Sequence, residues 1–274
     1  MGVELTGLEG KVAVITGAGR MRSIGRQIAL AFARAGSDVV ITGSGRSPDR
    51  YPDDEKAAGW RDIDSVADEV RALGRRALPV VSDVGDEDGV RALLDRTLAE
   101  YGQIDFLINN AAAARGADRV PVVDIPVDVW DTVIRVNLRG TYLMSKVFGR
   151  HLIDAGRGGV IVNISSVAGK ALPANAAAYA ASKTGVQALA ACMAQEVGQY
   201  GIRVNAVCPG MIDTFRLDDI RGTARWSEVT QRIPMRRPSA GEDVPNMVLY
   251  LCSDQGAWIT GQSINVDGGW VVNA

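Results

Sequence analysis

The chain has 274 residues, 47% apolar and 23% charged, with a formal net charge of −2. That length suits one domain with a large core, and the near-neutral balance offers no electrostatic reason to expect nucleic acid or an anionic membrane as partner. Three cysteines without CxxC spacing and a single histidine, His151, argue against a disulfide framework or a zinc site, so no metal is expected.

The N-terminal MGVELTGLEGK lacks the apolar core of a signal peptide, and no later segment approaches the roughly 18 apolar residues of a spanning helix. A cytoplasmic protein with no membrane association is expected. In chain order, an apolar strand over 12–15 leads into the glycine loop TGAGRMRSIG (16–25) and a helix over 25–35. Further strands are predicted over 38–42, 77–82, 106–109, 159–165, 203–207 and 263–266, with helices over 65–73, 87–101, 129–152 and 179–200. The strand interiors are apolar without alternation, as in a parallel sheet covered on both faces. Repeated strand–helix units predict a single-domain α/β fold over 1–274, a doubly wound sheet flanked by helices, with ligands at the carboxyl ends of the strands.

Two segments are irregular. Residues 44–60 are polar and long for a strand–helix connection, and 211–238 carry Phe215, Trp226 and Met235 among several charges. The first reads as an insertion. The second follows a strand end on the predicted binding edge and reads as a substrate loop. His151, in KVFGRHLIDAGRGG, is expected at a solvated helix end. The sequon at Asn163 falls in a buried-looking strand and is a chance match.

Glycines between a first strand and a first helix let backbone N–H groups approach a pyrophosphate at the helix N-terminus, and Gly17, Gly19 and Gly25 stand there. Tyr179 and Lys183 are four residues apart in a predicted helix and therefore share a face. A phenol with a pKa near ~10 shuttles protons poorly at neutral pH; a neighbouring ammonium lowers that pKa by favouring phenolate. Such a tyrosine can donate a proton to a carbonyl oxygen or take one from an alcohol.

Around this pair lie DFLINNAA (105–112), VNL (136–138), GVIVNISSVAG (159–169), RVNAVCPG (203–210) and TGQSINVDGG (260–269). In that order the set resembles the short-chain dehydrogenase/reductase family, from about Leu8 to Gly269. The resemblance implies a Rossmann-type, seven-stranded parallel sheet and reversible hydride transfer between a nicotinamide and a carbonyl/secondary-alcohol pair. It implies that Tyr179 is the general acid/base, that Lys183 lowers its pKa and binds the nicotinamide ribose, and that Ser166, thirteen residues before Tyr179, holds the substrate oxygen. Asn137 matches the asparagine of the family's proton relay, and Ser165 is left to cap backbone at the strand end.

For the coenzyme, the resemblance places Ser23, Ile24 and Gly25 with Gly17 and Gly19 on the pyrophosphate, Asp83 and Val84 at the adenine, and Asn110 and Ala111 beside the loop. Pro209, Gly210, Ile212 and Thr214 match the segment that cradles the nicotinamide. Cys208 reads as a small buried apolar residue. Where NAD-preferring relatives carry an acid at the end of the second strand, this chain has Gly43. With Ser44, Arg46, Arg20 and Arg22 nearby as phosphate donors, NADP(H) is favoured over NAD(H), although the same arginines equally suit solvation or pairing with Asp53 and Asp54. Against the family pattern the glycine loop is about two residues long in excess, with Ser23 at the place of the middle glycine.

Two alternatives are an enoyl-thioester reductase-like enzyme, suggested by Ser23-Ile24-Gly25 after a lengthened loop, and a non-catalytic NAD(P)-binding sensor. The four-residue Tyr179–Lys183 interval favours carbonyl chemistry over the first, and the retention of Asn137, Ser166, Tyr179 and Lys183 together disfavours the second. A homo-oligomer, tetramer or dimer, is expected from the resemblance. Phe215, Trp226 and Met235 suit an apolar substrate; Arg216, Arg221 and Arg225 equally permit an acidic group.

Overall fold

In a computed structural model the described residues run from 4 to 272. The elements in chain order are β1 (Val12–Ile15), α1 (Ile24–Arg34), β2 (Asp38–Gly43), α2 (Asp53–Ala57), α3 (Ile63–Ala72), β3 (Ala77–Val81), α4 (Glu87–Tyr101), β4 (Phe106–Asn109), α5 (Val127–Ile134), α6 (Gly140–Ala155), β5 (Gly159–Ile164), α7 (Ala168–Ala171), α8 (Ala177–Val197), β6 (Ile202–Pro209), α9 (Ala224–Arg232), α10 (Asp243–Cys252) and β7 (Ser263–Val266). All strands are parallel, in the order β3-β2-β1-β4-β5-β6-β7.

The apolar strands divide their side chains between two cores. Ala13, Ile15, Val39, Ile41, Ile108 and Val162 face α1, α3 and α10, while Val12, Val14, Val40, Leu107, Ile161 and Val204 face α4, α6 and α8. Side chains alternate across a strand, so only a continuous apolar run can satisfy both layers. The strand order runs outward from β1 to β3 and then restarts with β4 on the other side of β1, and the crevice at this switch point, between β1 and β4, is where such sheets bind ligands.

All seven strands fall where the sequence places them, with ends shifted by a residue or two. The helix predicted over 129–152 differs. It is broken by a π-helical turn, Arg135–Arg139, between α5 and α6. The widened turn brings Asn137 fully inside, and the Thr141 hydroxyl donates to its carbonyl at 2.7 Å. Asn163, in β5, is wholly buried and donates no site for a glycan. His151 is partly buried near the end of α6, with Nε2 lacking a partner, rather than solvated. Among the described residues no helix is long and apolar enough to cross a membrane.

Candidate active site

The glycine loop is held from both neighbouring strands. Thr16 N–H donates to Ile108 O, and Ala18 N–H to Thr42 O, each at 3.0 Å. The Thr16 hydroxyl accepts from Asn110 and Ala111 N–H, while Asn110 Nδ2 donates to the carbonyls of Thr16 and Gly17. Gly17 has φ +67°, and a Cβ there would lie 2.6 Å from Ala111 Cα. A Cβ on Gly25 would meet Asn110 Nδ2 at 2.6 Å and Ala18 Cα at 2.8 Å. Both glycines are therefore fixed by close backbone approach. Ser23 caps α1: its hydroxyl accepts from Arg26 N–H at 3.2 Å and donates to Arg20 O at 2.9 Å. The capping bond leaves the first-turn N–H groups of Ile24 and Gly25 at the positive end of the helix, without intrahelical acceptors. This cradle fits a dinucleotide pyrophosphate.

Residues 44–62 do not form a free surface insertion. They lie as a strap across the glycine loop. Trp60 Nε1 donates to Gly19 O at 2.6 Å, and Glu55, 1% exposed, accepts from Met21 N–H at 2.9 Å. The arginines expected on a coenzyme phosphate face carboxylates instead. Arg46 reaches Glu55 at 3.2 Å and Asp62 at 3.3 Å, and Arg20 lies 3.7 Å from Glu55. Arg22 pairs with Asp54 at 3.2 Å and with Asp218 at 2.5 Å, tying the strap to the 211–238 segment. The reason is proximity: the insertion carries its own acids into the space that the sequence reading reserved for phosphate. Ser44 is exposed at the end of β2.

Tyr179 and Lys183 stand on the first turns of α8, facing the end of β5. Lys183 is 3% exposed and donates to Ile164 O at 2.7 Å; its Nζ is 5.8 Å from the Tyr179 ring centroid. Burial pushes the Tyr179 phenol up, but Lys183, Arg216, the neighbouring Ser166 hydroxyl and Arg119 together hold it below the ordinary tyrosine range. Burial, with Arg216, lowers the pKa of Lys183 against the opposing influence of Tyr179. Ser166 accepts from Ala168 N–H at 3.1 Å. Ser165 is turned away, donating to Lys183 O at 2.9 Å and accepting from Gln187.

Asn137 spends its side chain on the protein. Its Oδ1 accepts from Ala113 N–H at 2.8 Å and its Nδ2 donates to Ser182 at 3.0 Å, so it ties the 111–113 backbone to α8 beside Tyr179. Asp83 accepts from Gly85 N–H and Arg135, and despite the opposing effect of burial these hold its carboxyl below the usual range. Val84 packs against Gly140, where a Cβ would come within 2.6 Å of its side chain. Gly210 packs on Asp267 with no room for a Cβ, and Pro209, Ile212 and Thr214 are buried around it. Burial raises the pKa of Cys208, leaving an inert thiol.

The 211–238 segment differs from an apolar roof. Phe215 lies under the Arg20 guanidinium at 4.5 Å, and Met235 is 61% exposed. What faces Tyr179 is cationic. Arg119 and Arg216 place guanidinium carbons 4.5 Å and 5.5 Å from the ring centroid. Arg119 is ion-paired with buried Asp118, whereas Arg216 has no carboxylate partner among the described residues and donates to Ala113 O at 2.6 Å. Thr16, Trp60, Glu55 and Asp62 were not legible in the sequence, because each acts across a fold-dependent contact; only the long, polar connection after β2 signalled the last three.

The family profile described as Enoyl-(Acyl carrier protein) reductase matches residues 17–271. The 2-dehydro-3-deoxy-D-gluconate 5-dehydrogenase of Escherichia coli is 34% identical over 265 residues, covering 96% of each chain. The cis-4-hydroxycyclohexanecarboxylate dehydrogenase of Sinomonas cyclohexanicum is 37% identical, covering 95% of this chain and 96% of that one. A solved 7α-hydroxysteroid dehydrogenase, in complex with NADH and 7-oxo glycochenodeoxycholic acid, superposes with a TM-score of 0.83 at 32% identity over 97% of this chain and 96% of its own. The parallel sheet, the glycine cradle at its switch point and these full-length matches establish one lineage: the chain belongs to the short-chain dehydrogenase/reductase family and is an NAD(P)-dependent oxidoreductase acting on alcohol and ketone groups.

Proposed function

We propose that the protein interconverts a ketone and a secondary alcohol that also carry a carboxylate, with Tyr179 as general acid/base. The observation that carries the substrate class is Arg216, a guanidinium beside the Tyr179 ring with no carboxylate of its own among the described residues. A guanidinium matches a carboxylate bidentately and orients it. Arg221 is already paired with Asp213 at 2.9 Å, which leaves Arg216 as the better anchor. Two relatives named for a gluconate and a cyclohexanecarboxylate support the same class.

The nicotinamide, when bound, supplies or accepts the hydride. The chain handles the proton. In reduction Tyr179 Oη–H donates to the carbonyl oxygen; in oxidation the phenolate takes the alcohol proton. Lys183 and Arg216 favour that phenolate, and the Ser166 hydroxyl, beside the phenol, holds the substrate oxygen. Gly17, Gly19, Ser23, Ile24 and Gly25 would hold the pyrophosphate, Asp83, Val84, Asn110 and Ala111 the adenosine side, and Pro209, Gly210, Ile212, Thr214 and Lys183 the nicotinamide side. The sequence-based preference for NADP(H) rested on Arg20, Arg22 and Arg46 as free cations, and their pairing with Glu55, Asp54, Asp218 and Asp62 weakens that support.

A homo-oligomer in the cytoplasm completes the reading. The oligomer rests on the family resemblance; a groove on the α4–α6–α8 face, lined by Tyr142, Val147 and Met193 together with Arg91, Lys146 and Glu196, is one surface open to a second copy, and light scattering that finds a monomer rejects the oligomer. The activity is tested with hydroxy acids, their keto acids and the matching methyl esters, followed by nicotinamide absorbance. Turnover of acids well above esters is expected; equal turnover of esters rejects the carboxylate anchor, and no turnover of any alcohol or ketone rejects the reaction.

A further inference from the structure

We propose that Asp62 is the acceptor for the adenosine-ribose hydroxyls, supplied through space by the strap, and that it makes the protein select NAD(H) over NADP(H). The inference rests on the nicotinamide-coenzyme reading above and concerns only its adenosine end.

Position comes first. In a doubly wound dinucleotide fold the ribose lies at the end of the second strand, where an acid bonds its 2′-hydroxyl. Here β2 ends in Gly43, which has no side chain. The Asp62 carboxylate fills the gap from the start of α3. Its oxygens lie 3.7 Å and 3.8 Å from where a Cβ of Gly43 would be, so it stands where an acid at position 43 would direct its own carboxylate. The same Oδ1 lies 1.4 Å from the place of a Gly19 Cβ. Gly19 is thus a glycine because Asp62 needs its space, at the edge of the pyrophosphate cradle.

Asp62 is also held there at a cost that its own helix does not recover. It has φ 54° and ψ −127°, left-handed backbone for a residue with a side chain. It sits at the N-cap of α3, where an aspartate ordinarily accepts from the first-turn N–H groups, yet it makes no such bond. Its carboxylate is turned to the glycine loop and is only 7% exposed as a residue. Arg46 donates to Oδ1 at 3.3 Å, and no donor reaches Oδ2 among the described residues. That oxygen keeps its acceptor capacity open, and a ribose diol offers two O–H groups to it.

Charge then sets the selectivity. Glu55 and Asp62 of the strap balance Arg46 and the glycine loop's Arg20, so these four charges are neutral before any coenzyme arrives. A neutral diol leaves that balance intact. A 2′-phosphate would place a dianion against Asp62 and would have to draw Arg46 away from two carboxylates.

The test is titration calorimetry of the full-length protein with ADP-ribose and with 2′-phospho-ADP-ribose, alongside NADH and NADPH by fluorescence. ADP-ribose and NADH are expected to bind ~10-fold or more tightly than their 2′-phosphorylated forms. In Asp62→Asn the ratio is expected to fall towards one, with circular dichroism and melting confirming the fold; Asp62→Ser serves if the asparagine variant does not fold. Equal or tighter binding of the 2′-phosphates by the unaltered protein overturns the proposal, as does an unchanged ratio in a folded Asp62 variant. Failure of every adenosine ligand to bind overturns the coenzyme reading beneath it.

Discussion

Arg216 lies over the Tyr179 ring, its guanidinium carbon 5.5 Å from the centroid, and its charge favours the phenolate that alcohol oxidation requires. Replacing it with Gln removes one of the influences that hold the phenol below the ordinary tyrosine range. The phenol pKa therefore rises. The acidic limb of alcohol oxidation, where the phenolate forms, is expected to move to higher pH, and ketone reduction to persist to higher pH. For a carboxylate substrate KM should also rise by ~10-fold or more, because one charge-assisted anchor is lost. Paired pH–rate profiles of the variant and the parent check both effects.

Tyr179→Phe keeps the ring under Arg119 and Arg216 but removes the titrating oxygen. Turnover should fall by about 10²–10⁴-fold, the usual contribution of a positioned acid/base. Coenzyme affinity, measured by fluorescence, should stay within about twofold of the parent by the same reasoning, since the pyrophosphate cradle is unaffected. Retained turnover would reject Tyr179 as the proton carrier.

Trp60→Phe removes the indole donor to Gly19 O while keeping an aromatic body beneath Arg26. One buried hydrogen bond is worth about 1 kcal/mol, and the stranded carbonyl adds to the loss. A lower melting temperature is expected, with faster hydrogen exchange confined to the glycine loop and residues 44–62.

Gly25→Ala places a methyl carbon 2.6 Å from Asn110 Nδ2, 2.8 Å from Ala18 Cα and 2.9 Å from Gly17 O. Two of these neighbours are backbone and cannot rotate away. Overpacking of this kind costs roughly 1–3 kcal/mol, so denaturant unfolding should show a reduced midpoint, and nucleotide binding should weaken with it.

The fold was legible because each strand is a short apolar run between helical stretches, and that pattern depends on nothing distant. Tyr179 and Lys183 were legible for a similar reason, their spacing being set by one helix. The adenosine end was not. Arg20, Arg22 and Arg46 read as phosphate donors until the partners Glu55, Asp54, Asp62 and Asp218 were brought to them by the fold. The π-helical turn at 135–139 was equally hidden, since an extra residue in a helical turn leaves the apolar pattern on either side intact. Phe215 read as a substrate contact from its hydrophobicity and position, but the glycine loop offered it the Arg20 guanidinium first.

The glycine loop and the 44–62 strap have a joint consequence for anyone who would re-engineer this coenzyme site. Gly19 O, Met21 N–H and the Arg20 and Arg22 guanidiniums find their partners in or through the strap, and Glu55 and Asp62 find theirs in the loop and in Arg46. Shortening either segment would orphan polar groups of the other. The two behave as one exchangeable cassette, to be transplanted or deleted together, and a chimera that moves only one is expected to accumulate as insoluble protein.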